Sequence, residues 1–202
     1  MVQASGVSLV LIGAILAANV WQYGPASAAE SRQKASLYGI ELGTPLNIPQ
    51  CPGGEINPLL VHTSCKNQTI KAEDGETKWL VVFPFFHSPP MVSDQVLLVT
   101  TISGRVEAIS FATDGVRVQD EIFRQLVAKF GSPTASRVDA AQNAFGAHFQ
   151  IRRARWVFDG FTVSFDGSDG KINGGAVAIK SAKFTAAERA LQTRRSATEP
   201  KM

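Results

Sequence analysis

The stretch 106–165, VEAISFATDGVRVQDEIFRQLVAKFGSPTASRVDAAQNAFGAHFQIRRARWVFDGFTVSF, decides how this chain folds. Residues Val106–Phe111 alternate and are rich in β-branched and aromatic side chains, the composition of a half-buried strand. Ser103-Gly104 before them suits a two-residue turn, which makes Val96–Ile102 the partner strand. Asp114-Gly115 ends the strand, because glycine accepts a positive φ and aspartate can satisfy nearby backbone donors. Beyond it Ile122, Phe123, Leu126, Val127 and Phe130 recur at helical spacing and form one apolar stripe. Asp120 and Glu121 near the start and Lys129 near the end carry the charges that a helix dipole favours. Gly131 suits the left-handed residue after the last turn, and Pro133 prevents resumption.

The same stretch closes on an aromatic hairpin. Trp156, Phe158, Phe161, Val163 and Phe165 flank Asp159-Gly160, a pair suited to a type I′ turn. Period-two aromatics beside an amphipathic helix predict a sheet face packed on that helix. The competing reading is an open stacking platform for a sugar or a base.

Outward from this unit, the start of the chain bears on compartment. Met1–Ala28 contains no charged side chain, and the apolar run Val7–Val20 is shorter than the roughly 20 residues of a comfortable bilayer span. Ala26-Ser27-Ala28 fits signal-peptidase cleavage before Ala29. The expectation is a signal peptide over 1–28, a lead-in over 29–37, one domain over 38–195 and a disordered tail over 196–202. The protein would be exported to the periplasm, soluble and without a membrane anchor. In that oxidising compartment Cys51 and Cys65 are expected to form one disulfide. The rival reading is a metal or redox use, for which a second cysteine of a CxxC motif and further zinc ligands are missing.

The formal net charge of +3 lies in the part after the signal. That mild excess favours acidic partners and falls short of a nucleic-acid-binding signature. Tyr38–Pro52 reads as turn-like, with room for about one helical turn between Pro45 and Pro49. Pro52–Gly75 reads as a loop held by the disulfide, and Trp79–Phe86 as a buried strand. After the hairpin come a loop at Asp166–Gly175, a strand at Ala176–Ile179 and a short helix at Ala186–Arg195, signalled by Thr185 and Glu188 at capping-box spacing. The class is α+β: antiparallel sheet with one main amphipathic helix on a face. Leu42-Gly43-Thr44-Pro45 and Phe130-Gly131-Ser132-Pro133 mark corresponding points of a possible diverged αβββ tandem duplication.

With GIELG at Gly39–Gly43, KFGSPT at Lys129–Thr134 and the following Trp156 strand, the chain resembles uncharacterised exported proteins of Gram-negative bacteria. In layout it is similar to small periplasmic modules of the BamE/SmpA and β-lactamase-inhibitor-protein types. The resemblance implies a module that binds other proteins. It brings no catalytic residues, and the lipid-bearing cysteine of the BamE type is missing.

No enzyme motif emerges from the residues themselves. His62, His87 and His148 lie in separate segments, no serine sits in a GxSxG elbow, and DGSDGKINGG at Asp166–Gly175 fits neither an EF-hand nor a Walker loop. No metal or cofactor is expected. Arg153 and Arg155 are the candidate binding residues, sharing one face of a strand where guanidinium groups can grip carboxylate or phosphate. The competing reading is an edge strand guarded by positive charge. The expected function is a non-catalytic binding module whose partner is another envelope protein or an acidic ligand. The alternatives are a hydrolase using Asp166, Asp169 and His148, or a structural component of the envelope.

Overall fold

In the computed structural model the described residues are 34–54, 56–71, 75–142 and 145–198. The expected signal peptide, most of the lead-in and the last residues of the tail lie outside them. A two-stranded ribbon of β1 (Ser36–Leu37) and β2 (Ile40–Glu41) comes first. It is followed by a meander of β3 (Cys65–Lys71), β4 (Glu76–Val82), β5 (Val96–Ile102) and β6 (Arg105–Thr113). Helix α1 (Gln119–Phe130) leads into a second meander of β7 (Ala135–Gln142), β8 (His148–Phe158), β9 (Phe161–Asp166) and β10 (Gly175–Ser181), and α2 (Ala182–Thr198) ends the chain. The two meanders join edge to edge through β6 and β10, giving one eight-stranded antiparallel sheet in the order β3-β4-β5-β6-β10-β9-β8-β7. The chain is therefore α+β.

The layout repeats, with four strands in each half where three were expected. Among the described residues only the second half is preceded by an α-helix; the first is preceded by a single 3-10 turn at Pro52–Gly54. Gly43 and Gly131, the glycines of the two matching tetrapeptides, share a positive φ, of 79° and 77°, although a ψ of −165° takes Gly131 out of the left-handed helical region expected after α1. The two extra strands were hidden for a physical reason. β3 is polar along most of its length and forms one sheet edge, and β7 (ASRVDAAQ) is almost wholly exposed at the other, so neither carries an apolar alternation.

One face of the sheet holds the core. Cross-strand partners Trp156, Val163, Ile179, Ile109 and Val99 form a continuous buried row. Ile122, Leu126 and Phe130 of α1 are buried in the same cluster. The aromatic hairpin is thus a packed face, which removes the stacking-platform reading. Burying each such side chain contributes roughly 1.5–3 kcal/mol. Trp156 also donates Nε1–H to the Gly131 carbonyl at 2.8 Å, fixing the end of α1 against the sheet.

Several local expectations change. Type I′ geometry needs positive φ at both central residues. It occurs at Ser103-Gly104 (52° and 77°), whereas at Asp159-Gly160 only the glycine, at 90°, is left-handed. The strand expected over Trp79–Phe86 stops at Val82, since Pro84 cannot donate to a ladder, and Phe85 and Phe86 lie exposed in a single 3-10 turn. Helix α2 starts at Ala182 because Ser181 Oγ, not Thr185, accepts from a third-position amide, that of Phe184 at 3.0 Å. Glu188 reaches instead to Lys180 at 2.7 Å. Gly115 is required by its setting as well as by its φ of 64°: a Cβ there would lie 2.2 Å from the Ile172 carbonyl oxygen. Cys51 and Cys65 are disulfide-bonded and pack with Val61 and Val82 in a small second cluster.

Candidate binding face

The strand register sorts side chains onto two faces, and the second face is as distinctive as the first. Arg155 stands opposite Ser164, Ser164 opposite Ala178, Ala178 opposite Ser110, Ser110 opposite Leu98 and Leu98 opposite Leu80. None of these six is buried. A neighbouring row runs Arg153, Asp166, Ala176, Ala112. Where the core face carries Trp, Val and Ile, this face carries alanine and serine down its centre, so an incoming surface can approach the strands closely. Helix α2, anchored by buried Phe184, crosses part of it, and the loop residues Ser93, Asp94 and Asp169 border another part.

Two concavities meet at Arg155. One, of about 630 Å³, has Ala135, Ser164, Ala176 and Ala178 on its floor and Arg137, Arg153 and Arg155 along its side. The other, of about 790 Å³, lies between the sheet and α2, with Lys78, Lys180, Glu188 and Leu191 among its walls. Arg155 lines both.

The three arginines of the first groove differ in what they are free to do. Arg153 donates Nε–H to Asp166 at 2.9 Å and Nη1–H to Asp139. Chiefly the hydrogen bond to Asp166 raises its already high pKa; partial burial opposes this and Asp139 adds to the rise. Arg137 is also held by Asp139, at 3.1 Å. Arg155 has no acidic partner among the described residues and is exposed. Arg153 and Arg155 do share a face, as their spacing predicts. However, β8 is covered by β7, so a charge-guarded edge does not explain them. Arg152 points to the opposite side, bonding Asp120 of α1 at 3.2 Å over the Phe123 ring.

The residues of the hydrolase reading stay apart. Asp166 is taken up by Arg153 and by the Ser168 amide, while Asp169 Oδ1 accepts from the Lys171 amide at 3.3 Å inside the glycine-rich loop. That loop closes on itself through Asp169 N–H to the Gly174 carbonyl. His148 begins β8, five residues before Arg153, the partner of Asp166; at ~3.3 Å per residue that is about 17 Å along the strand. His62 and His87 are exposed on other loops.

The alanines and serines of the floor were not singled out from the sequence. The signal was present in the alternation of TVSF and AVAIK, where every second residue is small or polar, but such residues also mark any solvated face. Compared with known protein families, with curated proteins and with solved structures, the chain matches none.

Proposed function

We propose that this chain is an exported periplasmic binding module, with no catalytic machinery of its own, that receives an acidic protein surface on the open face of its sheet. The observation that carries the reading is the juxtaposition of a small-residue floor with one uncommitted guanidinium, Arg155, at the meeting of two grooves. A partner carboxylate brought to Arg155 gains a charge-assisted, potentially bidentate hydrogen bond without displacing an existing ion pair. The other cations of the two grooves, Lys78, Lys180 and Arg137, are each paired with a carboxylate, of Glu76, Glu188 and Asp139, so the charge a partner would meet is that of Arg155. Export is supported by Ala26-Ser27-Ala28 after the apolar run and by the oxidised Cys51–Cys65 pair.

The test is affinity capture from native envelope extract with the mature oxidised protein, identifying what is retained. The expected result is one reproducible partner that is lost with Arg155→Glu while the melting temperature is unchanged. Retention of that partner by the charge-reversed protein would remove the assignment.

A further inference from the structure

The two edges of the sheet are finished differently. At β3 the ladder is broken by a bulge between Gln68 and Ile70, and an incoming stretch of chain lies along the start of the strand. There the Lys66 amide donates to the Pro49 carbonyl at 2.8 Å, and the Lys66 carbonyl accepts from the Cys51 amide at 2.9 Å. Bulges and covering segments are common protections of a sheet edge against further pairing. β7 has neither. Its eight residues pair with β8 without a register shift, it contains no proline, and among the described residues nothing bonds to its outer backbone. Every second residue of an edge strand turns its N–H and C=O outward, so β7 offers an unpaired ladder along its length. Val138 near its middle, β-branched and 48% exposed, suits further pairing.

The charges beside Val138 select what pairs there. Arg137 and Asp139 flank it, are opposite in sign and lie together on the open face, where both meet the Arg153 groove. An antiparallel copy of the strand centred on Val138 sets Arg137 opposite Asp139 of the second copy, and Asp139 opposite its Arg137. Ser136 then meets Ala140 and Ala135 meets Ala141, so no bulky or like-charged pair occurs. Centring on Arg137 opposes two guanidiniums, centring on Asp139 opposes two carboxylates, and a centre further out shortens the ladder. Directly opposite Cβ atoms stand ~4.5–5.5 Å apart, close enough for both cross-strand ion pairs. We propose that β7 is a self-recognition edge, through which two copies of this chain pair antiparallel about Val138. The two-fold axis is then perpendicular to the sheet, so two eight-stranded sheets become one with both open faces on the same side.

The test is sedimentation velocity of the mature oxidised protein from micromolar to millimolar concentration, with variants that read the register. The parent forms a concentration-dependent dimer. Arg137→Glu sets a carboxylate against Asp139, and Asp139→Arg sets a guanidinium against Arg137, so each alone weakens the dimer about tenfold or more. Mixed in equal amounts these two chains restore it, because each charge again meets its opposite. Val138→Cys cross-links to itself on oxidation, whereas Ser136→Cys and Ala140→Cys cross-link only when mixed with each other. Phe86→Ser, on the exposed turn after β4 towards the other edge of the sheet, leaves the dimer unchanged. A monomer at millimolar concentration, a dimer that survives both charge reversals, a mixture that stays monomeric, or no cross-link at Val138 overturns the proposal. So does a dimer lost with Phe86→Ser, whose contact would lie on that turn. Arg155 takes no part in the pairing, so the dimer and the open-face partner can fail independently.

Discussion

Arg153 and Arg155 stand two residues apart on the same face, yet the chain uses them differently. Arg153 bridges Asp139 and Asp166, so Arg153→Ala leaves Asp166 without its cation and Asp139 with Arg137 alone. Urea unfolding should show a loss of about 1 kcal/mol, whereas Arg155→Ala, on an exposed side chain with no ionic partner, should stay within about 0.5 kcal/mol. Equal losses would mean that Arg155 is also structural. Spacing alone placed both on one face, but their division of labour depends on Asp139 and Asp166, which reach them from neighbouring strands that no local pattern pairs. Tyr38 makes a separate residue-scale prediction. Its ring packs edge-on against Phe83 and Phe111, and its hydroxyl makes no hydrogen bond of ordinary geometry. Burial pushes its pKa up to about 12, with the backbone of Met91 pulling weakly the other way. The neutral phenol is favoured by folding, so its contribution is complete below pH 10, the value for the unfolded chain, and is lost as pH rises towards 12. Tyr38→Phe should therefore be neutral or slightly stabilising at pH 7 and should flatten the fall in thermal stability above pH 10, measured by melting across that range.

At the scale of elements, the interior strands and α1 announce themselves and the outer strands do not. β5, β6, β9, β10 and α1 each bury one face, which imposes a period on the sequence. β3 and β7 are held by ladder hydrogen bonds to one neighbour and bury little, so composition gives no period to read. The disulfide compensates for this at β3. It joins the start of that strand to Cys51, and the Cys51 amide also donates to the Lys66 carbonyl at 2.9 Å. Replacing both cysteines by serine should cost about 3 kcal/mol in the chain-entropy description, read from chemical denaturation. Hydrogen exchange should quicken first in 51–71 while α1 and β8–β10 keep their protection. Uniform loss of protection would show that the bridge supports the whole sheet rather than its edge.

For the whole molecule, the pairing of β6 with β10 is the decisive long-range event, because it turns two meanders into one sheet with one dry face and one open face. The two short glycine-containing matches suggested halves of one helix and three strands, where the halves have four strands each and an α-helix precedes only the second; the joining of the halves was not legible at all, since a pairing between Val177 and Phe111 leaves no local trace. The open face is completed by that joining, which sets Ser110 beside Ala178, itself already beside Ser164 in the second meander. The claim that this face receives the partner is tested most directly by site-specific photo-crosslinking in native envelope extract. A photoreactive side chain at Ser164, on the open face, should cross-link to a single acidic partner, and the same group at exposed Arg124 on α1 should not. A cross-link from Arg124 with none from Ser164 would place the partner on the helical side and contradict the account.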